Sequence, residues 1–189
     1  YGGFAGVEDQ RSQRASFPRT SPDPNETILL APGSSSGSTV TITADPTVID
    51  GFTIRTTSYV YYGYLQGIYC SEASPTISNN IITGNYASVG GGIYCHGGAP
   101  TISNNWIYKN EADECYSDTY GGGIFCDSSS AVISDNIIED NHVRSGGCDT
   151  TSYTVNRCGG GIYTSGGSVS ILRNVIRNNS LEAGAGSGN

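Results

Sequence analysis

Gly90-Gly91-Gly92-Ile93-Tyr94-Cys95, followed by Pro100-Thr101-Ile102-Ser103-Asn104-Asn105, is the stretch that decides the fold, because the chain writes it again on either side. The unit is Gly-Ile-aromatic-Cys/Thr, then an Ile, then Asn, a hydrophobic pair and another Asn. Copies begin at Ile68, Ile93, Ile124 and Ile162, so the intervals are 25, 31 and 38 residues by difference of residue number. Nine residues into each copy stands a second Ile (Ile77, Ile102, Ile133, Ile171), and five later a third (Ile82, Ile107, Ile138, Ile176). All of the variation falls after the third Ile, between Asn85 and Gly90, Asn110 and Gly121, and Asn141 and Gly159. A constant unit with one elastic joint reads as a coil of equivalent turns whose loops grow from one corner.

The apolar segments are too short for helices. Gly-Gly-Ile-Tyr-Cys and Pro-Thr-Ile-Ser alternate with period two and are rich in β-branched residues. Three short strands per turn, bent at Gly and Asn, predict an all-β chain: a single-stranded parallel β-helix of about five turns. Thr27-Ile28-Leu29-Leu30 reads as an early strand, and Ile49 and Ile54 keep the five-residue spacing of a degenerate first turn. Residues 1–38 form an irregular leading segment and 39–189 the coil.

Composition narrows the function classes. The 189-residue chain is acidic, with net charge −8, and Lys109 is its only lysine. No basic stripe is present to recruit nucleic acid or an anionic membrane. No apolar run approaches the roughly 20 residues of a membrane span. No signal peptide is visible, and the absence of Met reads as a processed product or a fragment, either of which leaves room for a removed export signal.

Asn80, Asn105, Asn136 and Asn174 share one phase of the coil, and Asn85, Asn110, Asn141 and Asn179 another. Asn tolerates left-handed backbone angles at a bend. Stacked from turn to turn, its amide donates on one side and accepts on the other, so a structural ladder is expected. Of the six cysteines, Cys70, Cys95 and Cys126 share a phase, and either a Cys70–Cys95 bridge or a reduced apolar stack fits. Cys148 and Cys158 occupy one long loop, 142–158, that a disulfide would staple, and Cys115 is a candidate partner for Cys126; sequence does not choose among fifteen connectivities.

These residues, with their counterparts at 121–136 and 159–174, resemble the right-handed parallel β-helix proteins of the pectate-lyase-like superfamily, most closely the secreted or surface-anchored, often non-enzymatic members. Tyr1-Gly2-Gly3-Phe4-Ala5-Gly6 and Val48-Ile49-Asp50-Gly51-Phe52-Thr53-Ile54 are similar to that group's leading segment. The likeness implies a right-handed coil and an extracellular or cell-surface setting. For activity it implies clustered outward carboxylates with Ca²⁺ or a basic partner, and no such dyad recurs here. Asp45-Pro46 is followed by Thr47, so the family's Asp-Pro-His motif is missing. Asp135, Glu139 and Asp140 lie near Arg173 and Arg177 by phase and read as a solvated charged face.

Two further candidates remain. The acidic loop Glu111, Asp113, Glu114 and Asp118 is a candidate Ca²⁺ site without regular ligand spacing, set against a solvated loop; no other cofactor is implied. Outward aromatics Tyr69, Tyr94, Phe125 and Tyr163 form one stripe, and Trp106 joins Ile81, Ile137 and Val175 in another; each is read as a glycan or partner surface against self-stacking. The expected function is an extracellular structural protein joined head to tail with copies of itself into a filament or stalk through uncapped ends. The alternatives are a glycan-binding or polysaccharide-processing module, and a surface adhesin using the loops at 111–120 and 142–158. Against the filament stands a piece cut from a longer protein.

Overall fold

The structure is a computed structural model describing residues 27–31, 37–56, 65–114, 117–144 and 156–182. Three parallel faces run the length of the coil. A cysteine face stacks Val40–Ile42, Ile68–Ser71, Ile93–His96, Ile124–Asp127 and Ile162–Ser165. A threonine face stacks Val48–Asp50, Thr76–Ser78, Thr101–Ser103, Val132–Ser134 and Ser170–Leu172. A tryptophan face has six strands: Ile28–Ala31, Thr53–Thr56, Ile81–Thr83, Trp106–Tyr108, Ile137–Glu139 and Val175–Arg177.

The register equates the repeat positions directly. Ile68 lies on Ile93 and Ile93 on Ile124, which lies on Ile162. The second Ile column starts at Ile49 on Ile77, and the third at Leu29 on Ile54, which lies on Ile82. Stacking like on like makes the core: Ile68, Ile77, Ile82, Ile93, Ile102, Ile107, Ile124, Ile133 and Ile138 have no solvent exposure. Each such side chain contributes about 1.5–3 kcal/mol through burial.

A fourth short face departs from the three-strand expectation. Tyr86–Ala87, Glu111–Asp113, His142–Arg144 and Ser180–Leu181 pair in parallel beyond the third Ile. The elastic joint therefore begins later than the spacing suggested, after this strand. A small ladder of Thr119–Tyr120 with Arg157–Cys158 leads the longer loops back to the cysteine face. The two glycines before Ile93, Ile124 and Ile162 have a packing reason. A Cβ on Gly122 would stand 2.3 Å from the His142 carbonyl oxygen and 2.6 Å from that of Gly160. The layers are too close there for any side chain.

The bends also differ from expectation. Left-handed backbone is adopted not by the column Asn residues but by the residue before each: Asn79, Asn104, Asp135 and Arg173 at one corner, and Gly84, Lys109, Asp140 and Asn178 at the other. The two demands of each corner are carried by neighbours: one residue turns the chain, and the next holds its amide inside. Lys109 and Arg173 pay roughly 1–2 kcal/mol for this angle, against burial of a whole layer.

A Gly122→Ala variant is expected to lose several kcal/mol, about that of an overpacked core site or more, with a lower denaturant midpoint in urea. A midpoint matching the wild type would contradict the close layer contact.

Candidate functional site

The two Asn columns are the most heavily hydrogen-bonded side chains of the coil. The backbone N–H and side-chain amide of Asn80 both donate to Asn105 Oδ1, at 2.9 and 3.0 Å. Asn105 repeats this with Asn136, and Asn136 with Asn174. The second column does the same through Asn85, Asn110, Asn141 and Asn179. Each amide also donates backwards to an Ile carbonyl, as Asn110 does to Ile82 at 2.9 Å. At the first turn Phe52 occupies the column, and only its backbone N–H reaches Asn80 Oδ1.

The aromatic stripe is packed on itself. Tyr94 lies between Tyr69 and Phe125, with ring centroids at 5.2 and 5.0 Å. Phe125 is buried, and Tyr120 covers it from the loop ladder while stacking on Tyr163 at 4.5 Å. Both faces of the middle rings are therefore in use, whereas a sugar ring needs an open face. Trp106 stacks on Tyr108 at 4.3 Å and donates its indole N–H to Glu139 at 2.8 Å.

Charged groups are paired along the coil. Arg173 grips Asp135 with two 2.7 Å hydrogen bonds, and Arg177 donates to the other oxygen of Glu139 at 2.6 Å. Burial alone would raise the Glu139 carboxyl, but Arg177 and Trp106 hold it below its ordinary value. Hydrogen bonding from Arg173 lowers Asp135 likewise. These carboxylates are engaged by cations from the last turn and do not converge on one another.

The acidic loop is not drawn together. Glu111 meets Arg144, Asp113 accepts from the Tyr86 hydroxyl, and Asp118 accepts from Asn156 and Tyr120. Among the described residues no group of three or more His, Cys, Asp or Glu is arranged to hold a metal ion. The four donors do not fit a calcium cage, since three of them face separate partners.

The cysteines differ from the disulfide alternatives. Cys70, Cys95, Cys126 and Cys158 all carry free thiols, whereas Cys115 and Cys148 lie outside the described residues. Cys70, Cys95 and Cys126 stack in register with their side chains inside the core. Hydrogen bonds from the flanking thiols, and burial, keep the Cys95 proton on well above the usual thiol range. A reduced, apolar column results, and Cys158 is not closed onto a loop partner.

This uninterrupted stacking of parallel faces agrees with a family model described as a right handed beta helix region, which matches residues 34–188. The chain belongs to the right-handed β-helix family. Comparison with curated proteins and with solved structures gave no match. The last described turn of the β-helix is its candidate site. In the last turn the core positions Ile171, Ile176 and Leu181 are 46, 49 and 53% exposed, whereas Ile133, Ile138 and Val143 one layer below are fully covered. Sequence reading placed Ile171 and Ile176 in the core by phase, and Leu181 joins them on the fourth face. It did not separate the two ends: Ile42 and Ile54 of the first turn are buried.

Three outcomes are expected. Asn110→Ala orphans the Asn85 backbone and amide donors and should cost on the order of 3 kcal/mol at roughly 1–3 kcal/mol per unpaired group, in urea unfolding, with Asn179→Ala costing clearly less. Tyr94, raised by burial and then by Asp127, and Tyr120, raised by its bond to Asp118, titrate at about 12. Their protonated forms favour the folded state, so that stability is complete below pH 10 and fades as pH rises through about 12. Absorbance titration should show a late tyrosinate component that Tyr94→Phe and Tyr120→Phe remove. Glu139 has the opposite sign: its contribution is present above the ordinary carboxylate range and disappears as acid protonates it, so Glu139→Gln should flatten the acid limb of the stability curve.

Proposed function

We propose that the chain is a non-catalytic structural β-helix that builds filaments or surface stalks by stacking end to end with copies of itself. The observation that supports this reading is the uncovered core of the last described turn, a row of inward Ile and Leu side chains whose strands have no outer partner among the described residues. An apolar surface beside unpaired strand amides is a template for further β-structure. The contact is heterologous, so each addition leaves a new end like the one it covered. An extracellular or cell-surface setting is part of the same proposal; its support is the likeness to secreted β-helices, and the free thiols add nothing to it.

The charge pattern is compatible with such growth. The last turn's cations, Arg173 and Arg177, are satisfied by acids one layer below and do not crowd the open end. The stacked aromatics stiffen the side of the coil, since their faces are spent on one another.

Sedimentation velocity over a range of concentrations should show mass growing beyond the monomer, with fibres in electron micrographs. Ile176→Lys places an ammonium in the uncovered core position and should return the protein to a monomer with its circular dichroism spectrum unchanged. A wild-type chain that stays monomeric at all concentrations would remove the proposal.

A further inference from the structure

We infer that Tyr120 and Tyr163 form an oxidative crosslinking site: a peroxidase with hydrogen peroxide, acting as a one-electron oxidant, joins their rings by a carbon–carbon bond, and Asp118 takes the proton that Tyr120 gives up. The inference does not depend on end-to-end growth, since both tyrosines belong to one chain and sit on the side of the coil.

Tyr163 stands in the aromatic stripe, in register with Phe125. Tyr120 reaches it from outside the repeat, on the short ladder with Arg157–Cys158. Their ring centroids are 4.5 Å apart and the planes differ by 12°, the closest pair of tyrosines among the described residues. Both side chains are half-buried and so keep contact with solvent. Rings already held face to face meet without a search, which favours coupling within one molecule over coupling between molecules.

The proton has a built destination. The Tyr120 hydroxyl donates to Asp118 Oδ2 at 2.7 Å. Asp118 is itself fixed by the Asn156 backbone N–H at 2.7 Å and the Asn156 amide at 3.2 Å. These bonds, the backbone one first, hold its carboxyl below the ordinary range, so it is ionised at neutral pH. A phenol that has lost an electron is a strong acid, and an acceptor within hydrogen-bond reach is what the transfer requires. Tyr69 and Tyr94 are also stacked, at 5.2 Å and 27°, but among the described residues neither hydroxyl donates to a carboxylate. Phe125 lies between that pair and Tyr163 and has no phenolic hydrogen to lose.

The step balances. Each phenol loses one electron to the oxidant and one proton, from Tyr120 to Asp118 and from Tyr163 to water. The two phenoxyl radicals join through ring carbons beside the oxygens. The hydrogen on each joined carbon then moves to its phenoxyl oxygen, restoring both phenols. The two electrons and two protons released convert one hydrogen peroxide into two waters.

A mixture of heavy-nitrogen-labelled and unlabelled protein, treated with a haem peroxidase and hydrogen peroxide, tests the site by dityrosine fluorescence and peptide mass spectrometry. The expected product is a Tyr120–Tyr163 peptide pair two hydrogens lighter than its parts, with both halves carrying the same label. Tyr163→Phe, which keeps the stacked ring, should cut the fluorescence several-fold, and Tyr69→Phe should leave it near the wild-type level. Asp118→Asn keeps an acceptor oxygen without the charge and should slow the initial rate about tenfold, with an unchanged circular dichroism spectrum. Preferential linkage of other tyrosines, pairs of mixed label, a thioether from Tyr120 to its in-register neighbour Cys158, or no linkage overturns the site. An Asp118→Asn rate equal to that of wild type overturns the proton path.

Discussion

One oxygen receiving two N–H groups from the layer before it is the contact on which this coil depends. A chain that turns three or four times per layer must carry backbone donors around buried corners where no strand partner is available. The Asn side chain solves this by acting as a piece of portable backbone, with one acceptor and two donors spaced like a peptide group. Each amide ties its layer to the one on either side, so the corners gain the same turn-to-turn bonding as the faces. The Ile columns supply the apolar burial, and the amides make that burial possible without stranded polar groups.

Most of the fold was legible because equivalent positions carry the same residue. Three Ile phases and two Asn phases fix which side chains point inward, and strand register follows from stacking them. The less legible parts are those where sequence identity is not repeated. Left-handed corners are occupied by Asn, Asp, Arg, Lys and Gly in turn, since geometry there is enforced by neighbouring layers and tolerates many side chains. The fourth face carries only a faint signal, one inward apolar residue two places after each second-column Asn (Ala87, Ala112, Val143, Leu181), and its changing size hides it among polar neighbours. Thiol state was undecidable from spacing, as in-register cysteines suit either outcome.

The candidate site was legible only in part. Phase identified Ile171 and Ile176 as core residues, but burial is a property of what lies above them, which no single-layer motif encodes. The aromatic stripe was visible in the repeat, yet Tyr120 came from outside the repeat to cover it. Similarly, the charges of Asp135 and Glu139 stood near two arginines by phase, and only geometry assigned each acid its own guanidinium. Where a side chain answers to its own layer, pattern suffices; where it answers to a loop, it does not.

The close approach of successive layers at Gly91, Gly122 and Gly160 has a consequence for how such a molecule changes over generations. Because every turn presents the same seam to its neighbour, an in-frame copy of one turn slots between two existing ones without a new interior being invented. Length is then a freely adjustable dimension, and molecular reach can be altered by duplication or deletion of a single repeat.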